Sequence, residues 1–573
     1  MARKPTKSVS PQFVGEEFQQ LRDFLDRRLV ELRMYRSSYF STWMELSNFV
    51  HPQRGRFSMP PMPNSGNKGQ QRQQYIIDRI ATQGVKRFAS FLLQGICSPE
   101  QAWFLMSISD KKLAADATVK AWLSEVTDRM MEVLNASNFY EVMAGIFEEL
   151  PTFGTGAAIV LQDYHTVVRL YLLTAGEYLL GLDERLQVNT LYREYLLTVE
   201  QVIKEFGIDN VSDQVRSLHE SQQLGREVNI VQAVMPNPHL VPGTLGWRGK
   251  PFVSVHYEYG HDTERCLRVA GFMEFPAVAP RWMVVGNDVY GHGPAEEALP
   301  DVKTLQLLHR RAMQLIEKRA DPPMVADASL QASVIDLNSG AVNFVPGLSN
   351  GGTAGLKSIY DINHDISGID QRIQDTRESI KAALYNDLIT LFSSGTGPQM
   401  TAEEVRAKSE EKLLLLGPML ERFHSECLTP ILDQVFNIMA RGGLLPPPPP
   451  HLQGRHIEPS YVSMMAQAQR AVGTSAIEGV LKLIGNLSAA KPEALDLIDV
   501  DQTIRIYTDK LGADPHMLAA PDAIAAVRKA RSQQQQQQMA MQQSQAAASG
   551  AQTLSQTDLG NGKNALSMML GQQ

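Results

Sequence analysis

Cysteine is scarce: the 573 residues contain three, Cys97, Cys266 and Cys427, far apart and without metal-ligand spacing. A disulfide framework and a cysteine-built metal centre are excluded, and reduced core thiols are expected. Long apolar runs are missing too. No stretch approaches the ~18 uninterrupted apolar residues of a membrane span, and the longest candidate, around Leu413–Leu416, stops at Gly417-Pro418. The N-terminal MARKPTKSVS is polar and has no apolar core region, so no secretory signal is expected; a disordered basic arm is the alternative reading. Without a signal, the glycosylation match Asn135-Ala136-Ser137 is read as chance. Basic excess is also lacking. A formal net charge of −8 argues against a protein that grips DNA by dense phosphate neutralisation, though not against a wall past which DNA slides.

Catalytic signatures are absent as well. There is no G-x-x-x-x-G-K-[ST], no H-E-x-x-H, no C-x-x-C and no G-x-S-x-G. Thr152-Phe153-Gly154-Thr155-Gly156 has glycines but no following lysine, and reads as a tight turn. His292 lies near Asp288 and Glu296. That set fits either a metal or acid/base site or, as the plainer reading, a polar turn before a helix. Glu403-Glu404 reads as helix capping behind Thr401. No catalytic residue, metal or cofactor is expected.

What is present is strong helical periodicity interrupted by one β-rich stretch. Residues 15–50 recur at helical spacing through Leu21, Phe24, Leu25, Leu29 and Leu32, and His51-Pro52 ends the run. Helices are expected at about 75–96, 117–135 and 138–150, with PTFGTG (151–156) as a breaker. Ala157–Gln162, Thr166–Leu173, Val228–Met235, Phe252–Tyr259 and Val269–Phe275 read as strands of a mixed sheet, with helices at 199–207 and 211–220 between them. From 300 to 319 a helix of roughly 30 Å is expected. It carries Val302, Leu305, Leu308, Ala312, Leu315 and Ile316 on one face and Lys303, Arg310, Arg311, Gln314 and Lys318 opposite, with Pro300 in its first turn. A small β-containing module follows, with strand-like Val334–Leu337 and Ala341–Val345. A second helix is expected at 365–387. It sets Ile366, Ile369, Ile373, Ile380 and Leu384 against Gln371, Asp375 and Glu378. After the loop 388–400 a long helix is expected at 402–440, kinked at Gly417-Pro418, then a polyproline spacer at Pro446–Pro450. Further helices are expected at 459–487, 490–495, 500–511 and 519–531. The Gln533–Gln538 run reads equally as helix or disorder.

A set of collinear motifs carries a resemblance. They are WMELSNFVHPQRGRF at Trp43–Phe57, IIDRIAT at Ile76–Thr82, GICSPEQAWF at Gly95–Phe104 and PRWMVVGNDVYGHGPAEEALPDVKTL at Pro280–Leu305. Further on come TAEEVR at Thr401–Arg406, LGPMLER at Leu416–Arg422 and LTPILD at Leu428–Asp433. Over about residues 15–450 the chain resembles the head-to-tail connector, or portal, proteins of short-tailed bacteriophages.

The resemblance implies an α+β, mainly α-helical fold in a ring of about a dozen subunits. It implies a wing (1–295), a stem helix (296–320), a clip (321–363), a second stem helix (364–387) and a channel loop (388–400). A long wing helix (401–445), a crown (446–531) and a C-terminal barrel helix or tail (532–573) complete the parts. The implied role is to nucleate the capsid at one vertex, dock the terminase motor, retain double-stranded DNA, carry the tail and pass DNA on ejection, with no catalysis. The implied partners are further copies of the chain, DNA held without sequence preference, the large terminase, major capsid and scaffolding proteins, a tail adaptor and internal core proteins, but no membrane. The implied place is the virion, with assembly in host cytoplasm. Three candidate surfaces follow. Ser393, Ser394, Gly395, Thr396, Gly397 and Pro398 are expected to form a loop that projects into the channel, with a plain surface loop as the alternative. Lys303, Arg310, Gln314, Lys318, Asp375 and Glu378 are expected to line the lumen or pair between subunits, with ordinary solvated helix faces as the alternative. Arg54 and Arg56 contact DNA or a capsid partner, or form a solvated basic loop. A tail adaptor, another ring-shaped virion part, or a DNA-processing enzyme with an unrecognised site is the alternative.

Overall fold

The computed structural model describes residues 13–57, 73–110, 116–260, 265–327, 340–345, 356–358, 366–386, 416–452, 457–462 and 521–556, with a few isolated positions between. The chain divides into two compact units, Met1–Gln469 and Arg470–Gln573. Helix predominates, with β-structure between, as expected. The short strands between residues 324 and 358 and the helices that bracket them belong to the first unit.

The first helix, α1 (Glu16–Phe49), has the expected bounds. Leu21, Leu25, Leu29 and Leu32 return every three or four residues and are buried against one face of a sheet, on Tyr192, Val231, Val255 and Tyr257. Each such leucine stabilises the fold by roughly 2 kcal/mol. That sheet holds β4 (Tyr178–Leu182), β5 (Val188–Thr198), β6 (Glu227–Pro236), β7 (Phe252–Glu258) and β8 (Arg268–Phe272). Its order is β4-β5-β6-β7-β8, antiparallel throughout. A smaller antiparallel sheet, β3-β2-β9, comprises β2 (Ala157–Asp163), β3 (Val167–Leu173) and β9 (Ala277–Val278). The expected mixed sheet is therefore two antiparallel ones. The strands at 178–182 and 188–198 escaped the sequence reading because Gly181 and the Asp183–Gln187 turn break their alternation.

Helices α2 (Ile80–Ile96), α3 (Ala117–Ala136) and α4 (Phe139–Phe153) pack around the largest core cluster, with β1 (Phe104–Ser107) beside them. The expected break at 151 falls later. Pro151 is accommodated in the last turn of α4, and the helix ends at Gly154 with φ 75°. Short helices α5 (Val199–Phe206) and α6 (Asp213–Glu220) follow, α5 opened by a Thr198/Gln201 capping box.

Helix α7 (Pro294–Ala320) starts six residues earlier than expected. Pro294, not Pro300, takes the first helical position, where a missing N–H costs nothing. Pro300 lies in the interior, and the extra turns bury Ala295, Ala298 and Leu299. Strands β10 (Met324–Asp327), β11 (Val342–Val345) and β12 (Leu356–Ser358) form a three-stranded sheet, parallel at β10–β11 and antiparallel at β10–β12. Of the two strand-like pieces expected here, 342–345 is a strand; most of 334–337 lies outside the described residues. Helix α8 (Ile366–Ala383) then returns along α7, with Ser379 Oγ donating to Asp301 Oδ2 at 2.7 Å.

Residues 416–423 are helical, and the stretch that leads into Gly417-Pro418, where the kink is expected, lies outside the described residues. A π-helical segment, His424–Leu428, follows and runs into α9 (Thr429–Arg441). Residues 458–461, expected as the start of a helix, are a strand instead. This β13 (Glu458–Tyr461) pairs antiparallel with β1, because the exposed edge of that short strand supplies the hydrogen bonds a helix would otherwise make internally. In the second unit, α10 (Pro521–Gln556) continues through the glutamine run, settling that stretch as helix.

Candidate functional site: the anchored helix pair

α7 and α8 are the two rods that the sequence places around a small β-module, and an internal polar hub joins the middle of α7 to the C-terminal half of α8. The Asp78 carboxylate, just before α2, accepts from Arg377 Nε on α8 at 2.8 Å and lies 2.9 Å from His309 Nε2 on α7. Its other oxygen accepts the Ile80 N–H. Gln306 on α7 completes the clasp: its Oε1 accepts the N–H groups of Ile77 and Asp78 at 2.7 and 2.8 Å, and its Nε2 donates to the Asp78 carbonyl. Burial opposes ionisation of Asp78, but the bonds from Arg377 and Ile80 and the charges of Arg377 and His309 outweigh it. The carboxyl is held below its ordinary value. One carboxylate thus ties three helices. Apolar packing reinforces it through Val302, Leu305 and Ala312 of α7 and Ile373, Ile380 and Leu384 at α8. Ile316, expected on the packed face, is 53% exposed near the far end of α7.

The conspicuous motifs converge beneath this pair. Trp43 packs edge-on against Tyr290 with ring centroids 5.0 Å apart, and Phe153 and Phe57 complete the aromatic cluster. The turns PTFGTG and YGHGP cross in backbone contact. A Cβ on Gly154 would lie 2.1 Å from the Gly291 carbonyl oxygen, and one on Gly293 2.6 Å from that of Pro151. The glycines are spacers for a chain crossing; of the stretch expected as a tight turn, Thr152 and Phe153 lie in the last turn of α4 and Gly154 ends it. Arg281, buried, pairs with Glu426 through Nη2–Oε1 at 2.6 Å and also donates to the carbonyls of Leu186 and Asp288. His292 does meet its two acids, Nδ1 2.9 Å from Glu296 and Nε2 3.7 Å from Asp288, at the open start of α7. Among the described residues no group of His, Cys, Asp or Glu is arranged to hold a metal ion. No described helix is long and apolar enough to cross a membrane.

The other candidate residues fall as follows. Lys303 pairs with Glu45 of α1 at 2.6 Å. Gln314 accepts from Arg311, and Glu378 accepts from Lys381 on its own helix. Arg310, Lys318 and Asp375 are exposed. Among the described residues no ion pair joins the basic residues of α7 to Asp375 or Glu378 within one chain. Arg54 is turned inward, donating through Nε and Nη2 to Glu148 at 3.0 and 2.7 Å. Arg56 is exposed. The loop Ser393–Pro398 lies outside the described residues, as does 401–415. The sequence reading missed Asp78, Gln306, His309, Arg377 and Glu426. Only the presence of Asp78 in IIDRIAT and of Arg281 in PRWM pointed that way.

Paired rods bracketing a three-stranded module, rooted on a mixed helix-and-sheet body, define a structural class. Residues 22–518 match the family described as bacteriophage head to tail connecting protein, and the chain belongs to that family. It is 38% identical over 545 residues to the "Probable portal protein" of Bordetella phage BPP-1, covering 95% of this chain and 97% of that one. It is also 38% identical over 532 residues to the "Portal protein" of Salmonella phage epsilon15, with coverages of 93% and 95%. Among solved structures it aligns with a chain of the native gene transfer agent virion. There the TM-score is 0.34 at 12% identity, over 76% of this chain and 90% of that one, which is too slight to bear on the fold.

Proposed function

We propose that this chain is a portal subunit, of which roughly a dozen copies close into a ring by one repeated heterologous contact. The observation that carries the reading is the α7–α8 pair, clamped at Asp78 and tipped by the β10–β12 sheet. Such rods, repeated about an axis, make a tube wall. In this reading the exposed residues Arg310, Lys318 and Asp375 face the lumen or a neighbouring subunit, and residues 393–398 form a yielding channel loop. The net charge of −8 fits a wall that releases DNA instead of gripping it. The ring sits at one virion vertex, assembled in host cytoplasm with capsid and scaffolding proteins. It docks the large terminase, passes and retains double-stranded DNA, and carries a tail adaptor, with internal core proteins stacked behind. It performs no catalysis; hydrolysis of ATP belongs to the motor. Support comes from the family membership and from two relatives named as portal proteins. Negative-stain microscopy of the purified protein tests it. A toroid with a central hole is expected, and a monomer under all assembly conditions would refute it.

A further inference from the structure

We infer that the loop between β6 and β7 of one subunit seats in the open cleft between the two antiparallel sheets of the next, a head-to-tail contact that rests on the ring proposed above. β6 and β7 are antiparallel neighbours, and such pairs are commonly joined by about two to five residues. Here residues 237–251 intervene. They put Leu240, Val241 and Leu245 into water, Leu245 fully, and none of the three belongs to a core cluster among the described residues. The loop is held in shape from within. Asn237, buried, donates through Nδ2 to the carbonyls of Trp247 and Lys250 at 2.9 and 3.0 Å, and the Val241 N–H donates to the Arg248 carbonyl at 2.8 Å. Thr244 Oγ1 donates to the Val241 carbonyl. A tip already fixed in shape loses little entropy when it is covered, and its apolar side chains gain by leaving water.

The cleft offers a matching seat. Its volume is about 660 Å³, room for the side chains of a loop tip but not for a duplex. Ile159, Leu161 and Tyr171 of the smaller sheet and Ala270 and Phe272 of β8 supply apolar wall. The charges around it are engaged within the chain. Arg193 pairs with Glu177 at 2.7 Å, Arg268 donates to the Glu205 carbonyl at 2.7 Å, and Glu194 is held by Arg33 and Arg36 of α1, while Arg56 stays in water. His256 at the floor is neutral, because burial, with Arg268 and Arg193 beside it, depresses its pKa to about 3. An uncharged occupant therefore strips no ion of its partner. Tip and cleft also face opposite ways. By the two-residue alternation of a strand, Tyr192, Val255 and Val269 point to α1, and Arg193, His256 and Arg268 point to the cleft. The loop is rooted on the α1 side. Trp247 packs on the core that α1 shares, Arg248 pairs with Glu17 of α1, and a Cβ on Gly271, two residues beyond Val269, would lie 2.9 Å from Trp247 Cα. The two surfaces thus sit on opposite faces of one sheet and do not meet within a chain, which is the arrangement that a repeated heterologous contact needs.

Disulfide trapping on the full-length protein is the test. L245C/Y171C puts one thiol on the tip and one on the cleft wall, at positions 101% and 41% exposed, so neither substitution disturbs a core. The native Cys97, Cys266 and Cys427 are buried and stay out of the reaction. Oxidation of assembled rings should give a ladder of covalent oligomers beyond the dimer on a non-reducing gel, absent from either single variant and collapsed by reductant. L245E, which carries a charge into an apolar contact, should raise the protein concentration needed for ring assembly by about tenfold. Rings that give no ladder, cross-linking that stops at the dimer, or L245E assembling at the parent's concentration would each overturn this contact and leave the portal reading standing. A parent protein that forms no ring would overturn both.

Discussion

Arg281 and Glu426, 145 positions apart, are joined by a two-pronged ion pair. Nη2–Oε1 is 2.6 Å, Nε–Oε2 is 3.3 Å, and the Arg281 backbone N–H adds a third bond to Oε2 at 3.0 Å. The pair pins the segment that leads into α7 onto the π-helical turn before α9. Side-chain exposures of 5% and 19% place it largely out of water. R281A leaves a carboxylate and two carbonyls without their donor, and should lower stability by on the order of 3 kcal/mol. R281K, which cannot bridge both oxygens, should fall between. Thermal melts of the purified variants decide it, and an R281A variant melting with the parent would show the pair to be idle.

The chain crossing at Gly154 makes a sharper prediction. G154A adds a methyl 2.1 Å from a backbone oxygen at a residue with φ 75°. Steric clash and left-handed strain act together, and a loss of more than about 2 kcal/mol is expected, with little soluble protein. G443A is the control. Its φ is 68°, but nothing lies within 4 Å, so only the left-handed strain of about 1 kcal/mol remains. Equal expression and melting of the two would disprove the crossing.

Glu148 and Glu149 predict opposite pH dependences side by side. His51, with Nε2 3.3 Å from its carboxylate, and Arg54 outweigh burial and hold Glu148 at about 2. Its stabilisation is present above the ordinary carboxyl value of 4.5 and fades as pH falls toward 2. Glu149, fully buried, is pushed up to about 7 by burial, despite Arg54 and the bonds from Thr174 and the Ala175 N–H. The folded chain therefore keeps a proton that the unfolded chain loses, and stability declines as pH rises from 4.5 to 7. E149Q should flatten that decline, raising stability above pH 7 by up to about 3 kcal/mol. Melting temperatures from pH 4 to 8 measure it; parallel profiles for parent and variant would contradict it.

The proposed wall predicts an effect of charge on function without an effect on fold. Arg310 and Lys318 are exposed, so R310E/K318E should change stability by less than about 0.5 kcal/mol. It should nonetheless impair ring assembly or DNA packaging, because the ring repeats each contact. Gel filtration and a packaging assay are the readouts; normal rings that package normally would remove both roles from these residues.

Helix α1, the paired rods and the turn at 290–294 were legible because amphipathic period and glycine–proline punctuation are local properties. The ordered motifs made the family legible as well. Tertiary structure alone decided that Asp78 joins Gln306, His309 and Arg377, that Arg281 meets Glu426, and that Arg54 turns inward. It also decided that 458–461 is a strand, since its partner lies at 104–107. Each depends on residues brought together across some ninety positions or more, or on a free sheet edge. The burial and hydrogen bonding that make such contacts favourable exist only once the chain has folded around them.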